Sequence, residues 1–445
     1  MAEEGEKVES FQSMILDLPP SCIEFCPRYP SLFLVGTYYL ETSEAESKET
    51  EKDDDGDDDN DDEVEVKAKQ AQSKSGSILV FELKDGQAQI KETIPQPSAV
   101  FDLHFAPQAD RGDICATVSS TGTISFFRLS PGPLKSTETT SGDQYLQALS
   151  ALRIPELPEG DSFTYFTWHP ETPGLLAVTT STGKVILARV QDDYKEIKKL
   201  RNILSHDAEA WCAAFSPVSH REPSSDETLS TVLSGGDDFK MLLNTHTTRP
   251  DTQEPADSDP EPATSSDTDS NSEETCIPPR NSKGIRHDAG VTAILPLRLT
   301  TSDGYGVVVT GSYSDHLSVW GVLPPYKAVG MMPASRLLKR INLGGGVWRL
   351  KVIEELSGYP ADAWSVTLLV SCMHAGARVV RLKGSLGTVN DIQVLWRFEE
   401  HESMNYGSDY AWVDGREFFG EGAKGRKIVC VSTSFYDKRL CLWTF

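Results

Sequence analysis

The chain alternates short apolar runs with turns rich in Gly, Asp, Ser and Thr. One unit recurs: an apolar strand, a second apolar strand that ends in small residues, a Gly or Asp turn, and a third apolar strand. One copy reads FDLHFAP, ICATVSSTG and TISFFRL, and another reads VTAILPL, VVVTGSYSD and LSVW. Short apolar runs separated by turn residues predict antiparallel strands, so the pattern indicates an all-β protein.

The unit occurs seven times. An N-terminal copy reads CIEFCP, LFLVGTYYL and SILVFEL, and the turns of the other six copies are marked by Gly122, Gly183, Asp238, Asp315, Gly376 and Asp437. A period of about 40 to 45 residues, lengthened by insertions, is typical of the blades of a β-propeller. The sequence therefore predicts a single seven-bladed β-propeller over residues 11–445.

The last copy ends in LCLWTF at Phe445, so its blade has three strands from this part of the chain. The segment MILDL, residues 14–18, precedes the first copy. We expect this N-terminal strand to complete the last blade, because an unpaired sheet edge at the closure of the ring would be a hazard.

Most of the charge lies outside the repeated units. The formal net charge is −25, and residues 41–65 and 251–274 carry −13 and −9 of it. Because these stretches have too few apolar residues to offset the entropy of ordering, we predict disordered acidic insertions at 41–75 and 249–284. The rest of the chain is nearly neutral, which argues against direct binding of nucleic acid.

The remaining composition predicts a cytoplasmic protein. The first residues, MAEEGEKVES, do not resemble a signal peptide, and no apolar run approaches the roughly 18 residues of a membrane span. Most of the eight cysteines lie in apolar strands, which is typical of reduced, buried thiols. Cys22 and Cys26 lack a second ligand pair, so we predict no metal site, and we also expect no cofactor and a monomer.

Two units carry a more specific signature. GSYSDHLSVW and SFYDKRLCLW each place an Asp turn before a strand that ends in Trp, which resembles WD-repeat propellers. That family pairs the Asp with a His placed ahead of the first strand, so we predict the structural pairs His206–Asp238 and His287–Asp315. His401 lies nine residues ahead of the strand YAWV, and we interpret it as out of register with this structural role.

The segments LGGGVWRLKV, SCMHAG, HESMNYGSDYAW and STSFYDKRLCLW lie within residues 343–445. Together they resemble the WD-repeat diphthine methyl ester hydrolases of diphthamide biosynthesis. The resemblance implies a carboxylic ester hydrolase whose protein substrate is elongation factor 2. The modified histidine of that substrate carries a methyl ester and a trimethylammonium group, and the products are diphthine and methanol.

Ester hydrolysis needs a general base and either a nucleophile or an activated water. His401 and His374 are candidate bases, because imidazole titrates near neutral pH. Ser403 is a candidate nucleophile, with Ser434 as the alternative, and Asp409 is a candidate for orienting the base, with Asp437 as the alternative. No GxSxG motif occurs, so an attack by water stays as plausible as an acyl-enzyme.

Binding the implied substrate needs a site for its cation and for its ester oxygen. Aromatic faces attract quaternary ammonium groups, so Trp348, Tyr406 and Tyr436 are candidate substrate-binding residues. Arg349 is a candidate for stabilising an oxyanion. The alternative function is a non-catalytic WD-repeat scaffold for the assembly of protein complexes, a role that the acidic insertions would suit.

Overall fold

The computed structural model describes residues 5–40, 74–134, 144–158, 160–217, 220–221, 228–248, 284–327, 333–358, 363–385, 388–420 and 422–445. Nearly all of the two predicted acidic insertions lies outside these ranges. Lys74 and Ser75, which the prediction had placed in the first insertion, are the first residues of a strand. No helix in the described ranges is long and apolar enough to cross a membrane.

The N-terminal part of the chain supplies two outer strands and the first three blades. The outer strands are β1 (Glu6–Val8) and β2 (Ser10–Ile15). Blade one contains β3 (Pro20–Phe25), β4 (Leu32–Thr37), β5 (Tyr39–Leu40), β6 (Lys74–Lys84) and β7 (Gln87–Gln96). Blade two contains β8 (Val100–Phe105), β9 (Ile114–Ser119), β10 (Ile124–Leu134) and β11 (Gln144–Leu152). Blade three contains β12 (Phe163–Trp168), β13 (Leu175–Thr180), β14 (Lys184–Val190) and β15 (Ile197–Ser205).

The remaining four blades follow in order. Blade four contains β16 (Ala210–Phe215), β17 (His220–Arg221), β18 (Thr228–Gly236), β19 (Lys240–Thr248) and β20 (Ile285–Arg286). Blade five contains β21 (Val291–Thr300), β22 (Gly306–Ser312), β23 (His316–Val322) and β24 (Ser335–Asn342). Blade six contains β25 (Arg349–Gly358), β26 (Ala363–Ser371), β27 (Ala377–Ser385) and β28 (Thr388–Phe398). Blade seven contains β29 (Gly407–Asp414), the helix α1 (Gly415–Phe419), β30 (Arg426–Ser434) and β31 (Arg439–Trp443).

The blades form a closed ring. Within each blade the principal strands pair antiparallel in chain order. The first strands of successive blades contact one another in a complete cycle, from β3 through β8, β12, β16, β21, β25 and β29 back to β3. These contacts confirm the predicted seven-bladed β-propeller of the WD-repeat type and place the seven first strands around its central channel.

The N-terminus closes the ring as the sequence predicts. Strand β2 pairs antiparallel with β31, with Ser10 opposite Trp443 and Ile15 opposite Arg439. It completes blade seven, although it begins four residues before the predicted segment. Strand β1 adds a contact that we had not predicted, because it pairs in parallel with β28 at the outer edge of blade six.

Apolar side chains fill the spaces between blades. Phe126 of blade two packs in one cluster with Phe163, Phe166 and Val178 of blade three. The second strand of each blade is almost entirely buried, because neighbouring blades cover both of its faces. All seven cysteines in the described ranges are buried and unbridged. Because the spaces between blades are apolar, the polar side chains of the first strands are expected on the side that faces the channel.

Candidate functional site at the channel mouth

One face of the propeller collects two kinds of segment. Antiparallel pairing in chain order brings the turns between second and third strands to the same face as the starts of the first strands. We call this the upper face. Tyr38, Tyr313 and Phe435 lie in such turns, whereas Trp348 and Tyr406 directly precede the first strands of blades six and seven.

Aromatic rings from six blades meet on the upper face, and we call them the mouth cluster. Its members are Tyr38, Phe101, Trp211, Tyr313, Trp348, Tyr406, Phe435 and Tyr436. The ring of Trp348 lies 4.8 Å from that of Tyr406, 5.9 Å from that of Trp211 and 6.1 Å from that of Tyr313. Trp348 is therefore a central ring of the cluster.

The other half of the mouth cluster joins blade seven to blades one and two. The ring of Phe435 lies 5.5 Å from that of Tyr406, 5.6 Å from that of Tyr38 and 5.1 Å from that of Tyr436. The structure thus brings together the predicted residues Trp348, Tyr406 and Tyr436. Tyr436 is 70% exposed and lies at the outside of the cluster.

Five members of the mouth cluster were missed from the sequence, although a signal was present. An aromatic residue directly follows the small residues that end the second strand in the segments GTYYL, GSYSD and TSFYD. Phe101 and Trp211 instead occupy the second position of first strands β8 and β16. Aligning the copies on these two positions would have predicted a ring of aromatic side chains on one face.

The three glycines before Trp348 allow two blades to approach closely. A Cβ atom on Gly345 would lie 2.3 Å from the carbonyl oxygen of Cys372. A Cβ atom on Gly346 would lie 2.7 Å from Sδ of Met373 and 3.4 Å from Cα of Tyr313. Only glycine fits such distances without a shift of the neighbours, so this segment sets the position of Trp348 against blades five and six.

Arg349 lies directly below Trp348 and reaches across the channel. Its Nη1 donates to the carbonyl oxygen of Trp348 at 3.2 Å, and its Nη2 lies 3.5 Å from Oδ1 of Asp102 in blade two. The guanidinium is 5.0 Å from the ring centre of Tyr165 and 5.4 Å from that of Trp348. Its side chain is 20% exposed, so part of the guanidinium side chain remains accessible below Trp348.

Further charged side chains line the channel next to Arg349. Nδ1 of His104 lies 2.6 Å from Oε2 of Glu24, and its Nε2 lies 3.0 Å from Oδ2 of Asp102. Burial lowers the pKa of His104, but the two carboxylates outweigh it and raise the pKa to about 10. His104 is therefore protonated at neutral pH.

Asp409, the predicted orienting acid, belongs to the same channel wall. Its Oδ2 lies 2.6 Å from Nζ of Lys351 and accepts a hydrogen bond from the backbone N–H of Phe25 at 2.8 Å. Burial lowers the pKa of Lys351, but Asp409 and Glu24 outweigh this effect and raise it. Burial also raises the pKa of Asp409, against the opposing charge of Lys351, and the 2.6 Å contact identifies the two side chains as partners.

We call the six charged residues of the channel the charge ladder. Its members are Glu24, Asp102, His104, Arg349, Lys351 and Asp409. Three carboxylates offset three cations, which is how buried charges are tolerated. Sequence reasoning missed Glu24, Asp102, His104 and Lys351, although each occupies a polar position in an otherwise apolar first strand.

His401 lies inside blade seven. Its Nε2 is 2.8 Å from Oγ of Ser432, and Nε1 of Trp443 donates to the same oxygen at 3.0 Å. Blade five repeats this arrangement with His287, Thr310 and Trp320. The interpretation that His401 is out of register is therefore wrong, because the longer segment before β29 still places the ring at the structural position. Burial lowers the pKa of His401 to about 4.

The two predicted structural pairs have different outcomes. Nδ1 of His206 lies 2.8 Å from Oδ1 of Asp238, so the first pair is confirmed. His287 uses its ring nitrogens for the carbonyl oxygen of Ile285 and the hydroxyl of Thr310. The predicted pair of His287 with Asp315 is therefore wrong, since both ring nitrogens already have partners.

The predicted nucleophile Ser403 precedes β29 and is hydrogen-bonded to the turn between β30 and β31. Its Oγ lies 2.7 Å from Oδ1 of Asp437 and accepts a hydrogen bond from the backbone N–H of Tyr436 at 2.9 Å. Burial raises the pKa of Asp437, but the hydroxyls of Ser434 and Ser403 outweigh it and lower the pKa. Ser403 thus holds the turn that carries Tyr436.

His374, the last predicted base, is exposed in the turn between β26 and β27 on the upper face. His401 lies in the interior of blade seven, Ser403 lies against the turn between β30 and β31, and Asp409 lies in the channel wall. The four predicted catalytic residues therefore occupy four different settings. The described residues contain no group of three or more His, Cys, Asp or Glu side chains that could hold a metal ion.

No family model matches the chain, and comparison with known proteins gives relatives of about 25% identity. The chain is 25% identical over 347 residues to a protein of Schizosaccharomyces pombe named diphthine methyltransferase, covering 78% of both chains. It is 25% identical over 321 residues to the diphthine methyltransferase of Mus musculus, covering 71% of this chain and 54% of the mouse protein. These names contradict the prediction of a carboxylic ester hydrolase, because they specify methyl transfer.

Comparison with solved structures concerns the fold. The crystal structure of Sqt1 from Chaetomium thermophilum matches with a TM-score of 0.50 and 11% identity, covering 99% of both chains. At this identity the likeness extends to the fold alone. The chain is thus a seven-bladed β-propeller of the WD-repeat type whose sequence is similar to proteins named diphthine methyltransferase.

Proposed function

We propose that this protein is an enzyme of diphthamide biosynthesis that acts on the diphthine side chain of elongation factor 2. Two independent observations support the proposal. The relatives from Schizosaccharomyces pombe and Mus musculus carry diphthine in their names. The mouth cluster and Arg349 also offer the two kinds of group that such a side chain requires.

The observation that carries the proposal is the position of Trp348 directly above Arg349. The diphthine side chain has a trimethylammonium group and a carboxyl group close together. Aromatic faces attract a quaternary ammonium through their negative π-face. A guanidinium forms charge-assisted hydrogen bonds with a carboxyl oxygen. An aromatic cluster above a guanidinium therefore matches both groups of this ligand.

Arg349 keeps hydrogen-bonding capacity for a ligand. A guanidinium carries five N–H donors in a planar fork. Among the described residues, Arg349 donates one hydrogen bond, to Trp348, and its contact with Asp102 is long at 3.5 Å. Donors of the fork therefore remain to bind a carboxyl oxygen that enters from above.

The exposure of the cluster suits a substrate that is itself a protein. Tyr313 is 40% exposed and Tyr436 is 70% exposed, and both lie on the upper face. Exposed aromatic side chains are enriched in protein interfaces. In this arrangement the upper face contacts the elongation factor, and the modified histidine enters the mouth towards Trp348.

The proposal is tested by counting methyl groups on the modified histidine. Elongation factor 2 carrying the diphthine intermediates is incubated with the protein, with and without a methyl donor, and the modified peptide is measured by mass spectrometry. We expect a change in methyl count that depends on the protein and is greatly reduced in Trp348→Ala. Trp412→Ala, which removes a partly exposed tryptophan near the other end of first strand β29, should keep the activity.

An unchanged methyl count under all conditions would contradict the enzymatic function. If the elongation factor nevertheless bound tightly, the result would favour the WD-repeat scaffold instead. The two functions are therefore separated within one experiment, by measuring binding and methyl count on the same samples.

A further inference from the structure

We propose that Trp211, Tyr313 and Trp348 form a subsite for a quaternary ammonium group, and that Asp237 determines its preference for a cation. The subsite lies on the side of the mouth formed by blades four, five and six. The identity of its ligand as diphthine rests on the proposed function. Its affinity for a quaternary ammonium does not, and can be measured separately.

The two outer rings of the subsite are both inclined to the central ring of Trp348. Trp348 is inclined by 53° to Trp211 and by 48° to Tyr313, with ring centres about 6 Å apart. In the core of blade one, by contrast, Phe33 and Phe81 stack at 4.8 Å with their planes 3° apart. Inclined rings expose parts of their faces, and those faces are what a cation contacts.

Asp237 lies beside Tyr313 because Gly290 has no side chain. A Cβ atom on Gly290 would lie 2.5 Å from Oδ1 of Asp237 and 3.0 Å from Cδ2 of Tyr313. The backbone fixes this arrangement, since the N–H of Asp237 donates to Glu209 and the N–H of Tyr313 donates to Gly290. The carboxylate and the ring are therefore neighbours on opposite sides of one blade boundary.

Among the residues that the structure describes, Asp237 differs from its neighbour Asp238 in having no cationic partner. Asp238 lies 2.8 Å from Nδ1 of His206 and 3.5 Å from Nζ of Lys240. Within the described part of the chain, no Lys, Arg or His nitrogen lies within 4.0 Å of a carboxylate oxygen of Asp237. Burial raises the pKa of Asp237, the side chain of Trp211 opposes this shift, and the charges of Glu209 and Asp238 add to it. A bound cation would supply the missing positive charge.

The chemistry of the ligand explains why rings and a carboxylate are combined. A quaternary ammonium has no N–H and cannot donate a hydrogen bond, so it is bound through cation–π attraction and Coulomb attraction to a nearby carboxylate. A neutral group of the same shape keeps the apolar contacts and loses both attractions. The ratio of the two affinities therefore reports on the electrostatics of this subsite.

The test titrates the full chain with choline and with its neutral isostere, in which carbon replaces the quaternary nitrogen, and follows tryptophan fluorescence. We expect choline to bind more tightly. Asp237→Asn should reduce this preference on the order of tenfold, as expected for removing one charge close to the ligand. Tyr313→Leu should weaken choline binding by a similar factor. Asp192→Asn, at an exposed turn on the other face, should leave the preference unchanged.

Equal affinity of the wild-type protein for choline and the isostere would overturn the proposal, as would an unchanged preference in a folded Asp237→Asn variant. Neither measurement involves the elongation factor. A choline preference without any change in methyl count would thus uphold the subsite and contradict the proposed function. If choline showed no preference but the methyl count still changed, the subsite would be contradicted and the proposed function would be upheld.

Discussion

The charge on His104 predicts an unusual dependence of stability on pH. The imidazole lies between the carboxylates of Glu24 and Asp102, at 2.6 Å and 3.0 Å. These carboxylates raise its pKa to about 10, against the opposing effect of burial. The folded protein therefore keeps a proton on His104 over a pH range in which the unfolded chain releases it.

The sign and size of the effect follow from this shift. The raised pKa of His104 stabilises the folded state to the full extent at pH values below 6.5, the ordinary pKa of histidine. This stabilisation is lost as pH rises towards about 10. One pKa unit corresponds to about 1.4 kcal/mol, so the largest contribution is about 5 kcal/mol. We expect the free energy of unfolding to fall by several kcal/mol between about pH 6.5 and pH 10 from this group.

The assay is urea unfolding over a series of pH values, in the wild-type protein and in His104→Gln. Glutamine keeps a hydrogen-bonding side chain but does not titrate, so the difference between the two curves isolates His104. His401→Gln is the matched control with the opposite sign. Burial lowers the pKa of His401 to about 4. The contribution of His401 to the free energy of unfolding is therefore lost as pH falls from 6.5 towards 4.

Two outcomes would refute the reasoning. The wild-type and His104→Gln curves could run parallel from about pH 6.5 to pH 10, which would show that His104 is not held protonated. Alternatively, His104→Gln and His401→Gln could change the pH dependence in the same direction. That result would contradict the assignment of one histidine to the charge ladder and the other to the interior of blade seven.

Three further predictions concern the frame of the site. Gly345→Ala should destabilise the protein by about 1 to 3 kcal/mol, because its Cβ would lie 2.3 Å from a carbonyl oxygen. Gly422→Ala is the control, since no atom lies within 4 Å of its Cβ and we expect no loss of stability. Urea unfolding measures both variants. Lys351→Met should lower the free energy of unfolding by about 3 kcal/mol, because it leaves Asp409 buried without its cation. The double variant with Asp409→Asn should recover part of this free energy in the same assay. Deleting residues 1–15 should expose the edge of β31 and cause self-association that light scattering detects, and a stable monomer would contradict the pairing of β2.

The sequence predicted the blades because their signals are local. Alternating apolar runs and Gly or Asp turns recur within each unit, so the number of blades could be counted without any contact between distant residues. Ring closure followed from the missing fourth strand of the last unit. The parallel pairing of Glu6 with Trp396 had no such signal, because β1 is a three-residue strand added to a blade that was already complete.

The site was harder to predict because its members come from distant parts of the chain. Lys351, Asp409 and Phe25 meet in the channel wall, although 384 positions separate Asp409 from Phe25. The prediction for His401 was wrong because the number of residues between it and the strand does not determine where its side chain lies in the blade. The departure of GGGVWR from the repeat singled out Trp348 and Arg349 as candidates, whereas Trp211 lies in an ordinary strand and gave no such signal.

The most direct test of the proposed function compares the binding of two forms of elongation factor 2, with and without the diphthine modification. We expect the modified form to bind more tightly to the wild-type protein, and Trp348→Ala to bind both forms equally. Isothermal titration of the four combinations gives the affinities. Equal affinity of the wild-type protein for the two forms would contradict the claim that the mouth cluster recognises diphthine.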